Sequence, residues 1–557
     1  MSTETAASTE APPPVQMVNV QIDGVWMEFP KGTRLIEACA QANKFIPRYC
    51  YHPKLSSPGN CRMCLIEMGM PKMTPDRKPE LGPDGRPLIN WIPRPQISCA
   101  QDVAEGMAVR TNSQMAQDAR KGVLEFLLIN HPLDCPICDQ AGECRLQEFS
   151  VEFGRADSRF LEEKVKKPKH VELGPRVTLD DERCIMCSRC IRFMREVAHD
   201  DVLGFVERGS YTTLTCHPDK KLDSNYSLNT VDICPVGALT SNDFRFKMRV
   251  WFLKETKSFC TSCATGCNTT ISSRENVVYR QTPRENNDVN EVWMCDYGRL
   301  NFHYLQSEER LLGPGVKVLK QYEEAPTWEI ALSRSSAGLK SFSGDQIAII
   351  ASGGNTNEEL FLIRKLAEAL GTSYLDIIPH IGVGDEILLD ADRNPNVAGA
   401  KLLGVSAPTP GAHLKAIAEG IRKGAIKALV IFGEDAVDAG ITEADLKKLS
   451  LLVAVNLLPN GTTRLADYLL AGVGFAEKRG SMINRKGRIQ RLNRATEPPG
   501  ESRDDWEIIR DLIAGVNGSN GLYAIEDVFR QMAAATPALS GLSLSKIGDL
   551  GVQLQNL

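Results

Sequence analysis

The sequence predicts a multidomain protein in which α+β domains come first and an α/β domain with a parallel sheet comes last. Three observations predict this organisation. The chain has 557 residues, enough for about three to five domains. All 17 cysteines precede residue 296. The region after residue 300 alternates strand and helix patterns and contains no cysteine.

The composition excludes several classes of protein. Residues 1–16 are rich in Ala, Ser, Thr and Pro and are predicted to form a disordered tail. They lack the basic and apolar segments of a signal peptide. No apolar run approaches the roughly 18 residues of a membrane span, so direct membrane insertion is not expected. The net charge of −5 is small for this length and does not indicate a nucleic-acid partner.

Residues 17–100 are predicted to form a β-grasp domain of the ferredoxin type. Asp23 and Gly24 lie between alternating apolar residues, which is typical of a β-hairpin. The stretch 33–43 has a helical pattern and leads into a loop that contains cysteines. Strand, turn, strand, helix and cysteine loop therefore follow one another as they do at the start of such a domain.

Four cysteines in this region have the spacing C-x10-C-x2-C-x34-C. They are Cys50, Cys61, Cys64 and Cys99. Plant-type 2Fe–2S ferredoxins use C-x4-C-x2-C and a remote fourth cysteine. The longer first gap here contains Pro58, Gly59 and Asn60, which predict a tight turn. A four-cysteine zinc site is the alternative, but zinc sites usually consist of two close pairs. We therefore expect one 2Fe–2S cluster.

Residues 101–165 contain a second group with the spacing H-x3-C-x2-C-x5-C. Its members are His131, Cys135, Cys138 and Cys144. Zinc accepts three thiolates and one imidazole, so this group taken alone leaves a zinc site open. Pro136 and Gly142 suit a loop folded over a cubane cluster. Together with the other cysteine groups, they favour a 4Fe–4S cluster.

Residues 166–250 contain a third, ferredoxin-like group with the spacing C-x2-C-x2-C-x43-C-P. Its members are Cys184, Cys187, Cys190 and Cys234. A compact run followed by a Cys-Pro is the bacterial ferredoxin signature, and one run predicts one 4Fe–4S cluster. Arg189, Arg192 and Arg195 share the predicted helix. They either moderate the negative charge of the cluster or form a solvated helix face.

Residues 251–310 contain a fourth group with the spacing C-x2-C-x3-C-x27-C. Its members are Cys260, Cys263, Cys267 and Cys295. A 4Fe–4S cluster is expected here, with zinc as the alternative. Cys39, on the apolar face of the first helix, and Cys216 belong to none of the four groups and receive no role.

Four candidate clusters within the first 295 residues are best explained as a one-electron relay. A cluster transfers one electron with little change in geometry, and its potential depends on ligands, hydrogen bonds and burial. No phosphate-binding loop, nucleophile elbow or zinc-protease motif is present. The sequence therefore predicts a conductor of electrons without catalytic residues of its own.

Residues 311–557 are predicted to form the α/β domain. The stretch 344–354 is a buried strand that ends in glycines, and 357–371 is an amphipathic helix with a glycine as its stop. A further unit of strand, helix and strand lies between 425 and 458. Because no G-x-G-x-x-G motif is present, a scaffold is favoured over a nucleotide site. For the basic segment 477–495, a solvated or interface loop is favoured over a former cradle for a phosphate-bearing cofactor.

The order of these motifs resembles that of the large iron–sulfur subunit of bacterial NADH:quinone oxidoreductase, respiratory complex I. The resemblance covers about residues 17 to 515, and its most specific parts are 131–144 and 183–240. It implies the four ligand sets given above, one 2Fe–2S cluster and three 4Fe–4S clusters. The fourth group, which mitochondrial members lack, would lie away from the main electron path and act as a structural clamp.

The same resemblance implies a function and partners. Electrons would pass from a flavoprotein subunit that binds FMN and NADH, through the clusters, toward the quinone. The expected partners are that flavoprotein, a thioredoxin-like 2Fe–2S subunit, and the connecting iron–sulfur subunits of the quinone module. The location would be the peripheral arm of the complex, on the cytoplasmic side of the bacterial inner membrane.

The C-terminal half resembles molybdopterin oxidoreductases through the stretches PTWEIAL and EKRGSMINRKGRIQ. No cysteine follows Cys295 to bind molybdenum, and the chain ends without room for the last cofactor-binding domain of those enzymes. We therefore expect no molybdenum cofactor.

The alternative functions are the iron–sulfur subunit of an NAD-linked hydrogenase or formate dehydrogenase, and a multi-zinc scaffold. The hydrogenase would need further cysteines in the C-terminal half, and the formate dehydrogenase would be expected to carry a cysteine or selenocysteine there.

Overall fold

The computed structural model describes residues 16–318, 321–322, 326–518 and 521–555. The predicted tail, 1–16, therefore lies outside the described residues except for Gln16. The chain divides into two compact units, Met1–Val250 and Trp251–Leu557. Among the described residues, no helix has the length and apolar character needed to cross a membrane.

The N-terminal unit contains one mixed sheet, several small sheets and short helices. Its strands are β1 (Met17–Ile22), β2 (Val25–Pro30), β3 (Leu65–Pro71), β4 (Ile89–Trp91), β5 (Gln96–Ile97), β6 (Ala108–Arg110), β7 (Val171–Glu172), β8 (Val177–Leu179), β9 (Leu203–Val206), β10 (Thr213–Cys216) and β11 (Leu239–Ser241). Its helices are α1 (Leu35–Gln41), α2 (Gln114–Leu128), α3 (Arg145–Phe153), α4 (Arg189–Glu196) and α5 (Asn229–Asp232).

The first sheet has the strand order β2-β1-β6-β3-β4, with β5 paired to β3. β1 and β6 run parallel, whereas the other neighbours run antiparallel. The predicted hairpin is present, and Asp23 (φ 49°) and Gly24 (φ 87°) both adopt the left-handed conformation that its tight turn requires. α1 buries Leu35, Ile36 and Cys39 in the core of this sheet. The predicted β-grasp arrangement is confirmed.

Helices α2 and α3 follow this sheet in the chain. α2 begins after Ser113, whose hydroxyl accepts a hydrogen bond from the Ala116 amide at 3.3 Å. α2 also carries Arg120, a buried guanidinium that donates to the Thr111 carbonyl oxygen at 2.6 Å. This hydrogen bond attaches α2 to the end of β6. α3 begins directly after Cys144, so its first turn is part of the second cysteine group.

The C-terminal unit contains one large sheet, two smaller ones and the helices that cover them. Its strands are β12 (Lys254–Phe259), β13 (Asn268–Arg274), β14 (Val277–Pro283), β15 (Gly315–Val318), β16 (Gln321–Tyr322), β17 (Ile347–Ala351), β18 (Tyr374–Ile377), β19 (Ala428–Phe432), β20 (Leu451–Asn456), β21 (Tyr468–Ala471), β22 (Gly480–Ile483), β23 (Arg488–Leu492) and β24 (Val552–Gln553). Its helices are α6 (Asp296–Leu300), α7 (Trp328–Lys340), α8 (Asn357–Leu370), α9 (Val397–Leu402), α10 (Leu414–Arg422), α11 (Glu443–Leu446), α12 (Asp505–Asn517), α13 (Ile525–Ala535) and α14 (Leu544–Ile547).

The large sheet has the order β16-β15-β21-β20-β19-β17-β18. The strands from β18 through β17, β19 and β20 to β21 run parallel. Every residue of β17 and β19 is buried, as expected of a sheet covered on both faces. The predicted α/β domain with a parallel sheet is confirmed.

Helices cover both faces of the large sheet because the side chains of its strands alternate between two cores. Ile347, Ile349 and Ala351 of β17 lie in the core that includes α7, α8 and α12. Ala348 and Ile350 lie in the core that includes α10 and α11. This alternation follows from the period of two along a strand.

Helix α8 begins and ends at the signals that the sequence predicts. Thr356 and Glu359 form a capping box at its start, in which each side chain accepts a hydrogen bond from the other residue's backbone amide. Gly371 follows the helix in the left-handed conformation with φ 70°.

The prediction of a solvated or interface loop for residues 477–495 is wrong. The segment forms the hairpin β22–β23, and all four residues of β22 are buried. Ile483 and Ile489 belong to the core beneath α8, and this apolar burial outweighs the basic composition of the segment. Lys478, just before the hairpin, is buried with Nζ 2.9 Å from carboxylate oxygens of Glu359 and Asp505. It neutralises charge inside the unit.

We predict that Lys478→Ala destabilises the C-terminal unit. Removal of the ammonium leaves Glu359 and Asp505 buried without their cation, which should lower the free energy of unfolding by about 3–5 kcal/mol. Urea unfolding followed by tryptophan fluorescence measures this loss. Lys448→Ala is the matched control, since Lys448 pairs with Asp445 at 3.4 Å but is half exposed, and it should cost at most about 1 kcal/mol. Equal losses in the two variants would contradict the prediction.

Candidate metal centres

Site one lies in the loop between α1 and β3 and at the end of β5. Its members are Cys50, Cys61, Cys64 and Cys99, and the structure brings them together. The Cys50 amide donates to the Cys61 sulfur at 3.4 Å. Hydrogen bonding with the Cys50 thiol raises the pKa of Cys61, and hydrogen bonding from the Cys99 thiol lowers the pKa of Cys64. The predicted turn before Cys61 is present, with Gly59 left-handed at φ 62°.

Site two surrounds a small cavity in the N-terminal unit. Its members, His131, Cys135, Cys138 and Cys144, all line this cavity. Cys135 begins a single turn of 3-10 helix, and Cys144 immediately precedes α3. Cys135 is exposed, whereas Cys138 and Cys144 are buried. Burial raises the pKa of the Cys144 thiol to about 11, so a metal that binds it must displace a proton.

His131 has the properties of a metal ligand. Burial and the positive charge of Arg183 lower the pKa of its imidazole to about 4, so the ring is neutral at physiological pH. Its Nδ1 is buried and has no hydrogen-bond partner among the described residues. A neutral imidazole with a free lone pair beside three thiols suits a site with mixed nitrogen and sulfur ligands.

Two residues that the sequence analysis did not single out complete the wall of site two. Gly237 lies so close to the Cys138 sulfur that a β-carbon on it would be 2.4 Å away. Arg183 is buried and lines the same cavity. Both belong to the region of the third cysteine group, since Arg183 precedes Cys184 and Gly237 follows Cys234 by three positions. The Cys-Pro-x-Gly spacing was the available signal for Gly237.

Site three surrounds a second small cavity, which the third cysteine group lines. Its members, Cys184, Cys187, Cys190 and Cys234, line the cavity together with apolar residues of β9, β10 and β11. Met186 (φ 53°) and Ser188 (φ 59°) adopt left-handed conformations that non-glycine residues rarely adopt, and the chain thereby curls between the cysteines. Burial raises the pKa of Cys187 to about 12.

The three arginines on α4 have different environments. Arg192 is buried, and Arg189 is partly buried with its guanidinium near the thiols of Cys187 and Cys234. Arg195 is exposed and pairs with Asp201 at 3.2 Å. The solvated-face interpretation is therefore correct for Arg195 and wrong for Arg189 and Arg192.

Site four lies in the C-terminal unit, and all of its thiols are buried. Its members are Cys260, Cys263, Cys267 and Cys295. The Cys260 amide donates to the Cys267 carbonyl oxygen at 2.7 Å, and the Gly298 amide donates to the Cys295 sulfur at 3.3 Å. A β-carbon on Gly298 would lie 2.8 Å from the Cys260 sulfur. Burial raises the pKa of Cys260 to about 11.

The loop of site four is attached to the α/β part of its unit. The Asn484 side chain donates to the Thr265 carbonyl oxygen at 3.1 Å, and the Gln490 side chain donates to the Gly266 carbonyl oxygen at 2.9 Å. The loop between Cys263 and Cys267 is thus held by the hairpin β22–β23. Site four is a structural junction within the unit.

The two remaining cysteines lie apart from the four sites. Cys39 is fully buried in the β-grasp core, and burial raises the pKa of its thiol to about 12. Cys216 ends β10 and donates to the Leu173 carbonyl oxygen at 3.4 Å. Neither position suggests a ligand.

The donor sets fit iron–sulfur clusters. Sites one, three and four are each composed of four cysteines. Site two combines three cysteines with a neutral histidine. Thiolate is the usual ligand of these clusters, and imidazole replaces it in some. Gly237 and Gly298 leave room for sulfur ligands where any larger residue would fill the space. When bound, the clusters would supply one-electron redox chemistry.

A molybdopterin cofactor, which the fold of the C-terminal unit implies, does not fit in the same way. Phosphate-bearing cofactors bind at helix N-termini at the carboxyl ends of parallel strands. That position, the start of α8 after β17, carries the buried acids Glu358 and Glu359. Ser481 of β22 donates to Glu358 through its amide at 2.8 Å and its hydroxyl at 2.9 Å. An anion would meet carboxylates there.

Five family models match separate parts of the chain. Residues 15–114 match a 2Fe-2S iron-sulfur cluster binding domain, and 120–159 match the NADH-ubiquinone oxidoreductase-G iron-sulfur binding region. Residues 174–240 match the NADH-quinone oxidoreductase subunit 3 ferredoxin-like domain, and 253–303 match the NDSU1/NuoG-like 4Fe-4S domain of NADH-ubiquinone oxidoreductase. Residues 390–514 match molybdopterin oxidoreductase.

Curated relatives are subunits of NADH-quinone oxidoreductases. NADH-quinone oxidoreductase subunit 3 of Thermus thermophilus is 40% identical over 65% of this chain and 47% of its own length. The NADH-quinone oxidoreductase G subunit of Rickettsia conorii is 39% identical over 64% and 50%, and that of Streptomyces coelicolor is 37% identical over 69% and 43%. The matched region spans about half the length of these curated relatives. The resemblance predicted from the sequence is confirmed.

We predict that Gly237→Ala prevents a cluster from binding at site two. The added methyl group would lie 2.4 Å from the Cys138 sulfur, closer than two such atoms can approach. The EPR signal of one tetranuclear cluster and its iron should be lost while the other clusters remain. Iron analysis and EPR of the anaerobically purified chain measure this. Gly122→Ala, in open space on α2, should keep all its iron; the same iron content in both variants would refute the prediction.

Proposed function

We propose that this chain, which shares its cluster-binding domains with iron–sulfur subunits of NADH-quinone oxidoreductase, is an electron-relay subunit of such an enzyme. Electrons from a flavoprotein subunit that carries FMN and oxidises NADH pass through its clusters toward the quinone. The sixteen donors at sites one to four hold one 2Fe–2S and three 4Fe–4S clusters, and the chain has no catalytic residue of its own.

The continuity of sites one, two and three within the N-terminal unit supports this proposal most strongly. Tyr49 is fully buried, and the thiols of Cys61 in site one and Cys144 in site two both act on its hydroxyl and raise its pKa, after burial itself. Its ring packs 5.4 Å from that of Phe149. Tyr49 is thus near thiols of both sites, as a relay through protein requires.

Sites two and three are similarly close. Gly237 and Arg183 line site two although they are three residues and one residue away from ligands of site three. The charge of the Cys61 thiolate in site one raises the pKa of Cys187 in site three, after burial itself. Three sites that lie this close to one another suit electron transfer better than three independent structural sites do.

Site four has a different role in this proposal. Its loop is held by side chains of the hairpin β22–β23, so a metal there would fasten the segment from β12 to α6 onto the α/β fold. We assign it a structural function. No molybdenum cofactor is assigned, because no cysteine follows Cys295 and the start of α8 is acidic.

The matched family models favour clusters over zinc, because three of them are described as iron–sulfur binding regions or domains. The names of the relatives likewise favour a quinone-linked oxidoreductase over a hydrogenase or formate dehydrogenase.

A groove beside site two is the proposed docking surface for a partner that carries the next cluster. The groove has a volume of about 680 Å³, and His131, Cys135 and Cys144 are among the residues that line it. Phe126, Leu133 and Val151 line it and are largely exposed, which marks a protein interface. The partner would be a connecting iron–sulfur subunit of the peripheral arm, on the cytoplasmic side of the bacterial membrane.

We predict that Val151→Asp weakens assembly without changing the iron content. Val151 is 88% exposed in the groove, so a carboxylate there should be tolerated by the fold but disfavoured in an apolar interface. The measurement is the yield of neighbouring subunits that copurify with the tagged chain from its own cells. Leu81→Asp, at an exposed position outside the groove, should leave the yield unchanged. Undiminished copurification with Val151→Asp would exclude the groove as the interface.

Metal analysis tests the proposed function itself. The anaerobically purified chain should be brown and contain about 14 iron atoms, with one binuclear and three tetranuclear EPR signals after reduction. Cys187→Ser should remove one tetranuclear signal, whereas Cys216→Ser, outside the sites, should remove none. A colourless chain that contains zinc would overturn the proposal.

A further inference from the structure

Arg192 of α4 connects site three to the loop of site one. It extends from the helix that contains Cys190, and its guanidinium donates to the carbonyl oxygens of Cys50 and Ser56. The residue is only 8% exposed. One planar fork therefore bridges two points of the loop that begins at a ligand of site one.

Arg189 makes a parallel connection from the first turn of the same helix. Its guanidinium donates to the Tyr51 carbonyl oxygen at 2.6 Å and to the Ile233 carbonyl oxygen at 3.1 Å. Tyr51 follows Cys50 of site one, and Ile233 precedes Cys234 of site three. The side chain thus spans from one ligand-bearing segment to the other.

Two further contacts attach the same loop. Glu196, at the end of α4, accepts hydrogen bonds from the Ser56 amide at 2.8 Å and from the Ser56 hydroxyl. The Asn60 side chain donates to the Met186 carbonyl oxygen at 3.3 Å. Residues 51–60 contain no helix or strand. Hydrogen bonds to residues 186–196 therefore replace the sheet or helix bonds that would otherwise fix this loop.

We propose that Arg192, with Arg189, is a positioning residue that fixes the separation of the clusters at sites one and three. This inference rests on the proposed relay function. Electron transfer between two centres slows steeply as their separation grows, so the clamp sets the rate of that step. The carbonyl oxygens of Cys50, Tyr51 and Ser56 are the points at which the guanidinium groups hold the loop.

A pair of variants separates positioning from charge. Arg192→Lys keeps the positive charge but lacks the planar fork that reaches the separated carbonyl oxygens of Cys50 and Ser56, whereas Arg192→Gln lacks both the fork and the charge. In the cluster-loaded chain with both sites reduced, we expect a severalfold loss of the spin–spin interaction between the binuclear signal and the tetranuclear signal of site three in both variants. The midpoint potential of site one should shift mainly in Arg192→Gln.

Arg195→Gln is the matched control, because Arg195 lies on the same helix but is 59% exposed and pairs only with Asp201 among the ion pairs of the described residues. Its spin–spin interaction should equal that of the wild type. An interaction in Arg192→Lys as strong as in the wild type, with a potential shift in Arg192→Gln, would mean that the arginine acts through its charge and would overturn the clamp.

If the Arg192 variants fail to bind their clusters, Glu196→Gln decides the question, since it weakens the hold on Ser56 from the exposed side of the loop: a weaker interaction supports the clamp and an unchanged one overturns it. If the wild-type chain shows no interacting binuclear and tetranuclear signals, the relay function fails. Wild-type interaction that persists in every variant contradicts the clamp alone.

Discussion

The structure depends on buried thiols, which a metal can bind by replacing their protons. Burial raises the pKa of Cys144, Cys187 and Cys260 to between about 11 and 12, so without metal these thiols are neutral. Metal binding exchanges their protons for strong bonds. The left-handed residues Met186 and Ser188 cost conformational energy, which cluster binding offsets. Folding and loading of the N-terminal unit are therefore expected to be coupled.

The same constraint explains why polar side chains cross between sites in the N-terminal unit. Loops that wrap a cluster must present their backbone to sulfur and cannot also form sheets. Their carbonyl oxygens then need donors from elsewhere. Arginine meets this need because one guanidinium serves several carbonyl oxygens at once, as Arg120, Arg189 and Arg192 do. The bonds of Arg189 and Arg192 also join the ligand-bearing segments of sites one and three.

Local patterns made much of the fold and the ligands predictable. The hairpin at Asp23 and Gly24, the stop of α8 at Gly371 and the spacings of the cysteine groups all depend on residues close in the sequence. The Cys-Pro-x-Gly spacing marks Gly237 but not its contact with Cys138, and the role of Arg192 could not be predicted, because its partner Cys50 is far away along the chain. Spacing predicts candidate ligands but not the residues that hold those ligands in place.

The error at residues 477–495 has a related cause and bears on what the C-terminal unit does. Its basic residues suggested a solvated surface, yet Lys478 is buried between Glu359 and Asp505. Glu358 and Glu359 lie where a phosphate-binding α/β domain would place an anion, at the N-terminus of α8, and they already satisfy the positive end of the helix dipole. Lys478, the cation that could bind a phosphate there, is already paired with Glu359 and Asp505. The hairpin that supplies it also holds the loop of site four through Asn484 and Gln490. The start of α8 thus presents carboxylates where a phosphate would bind, and the hairpin β22–β23 supports the loop of site four instead.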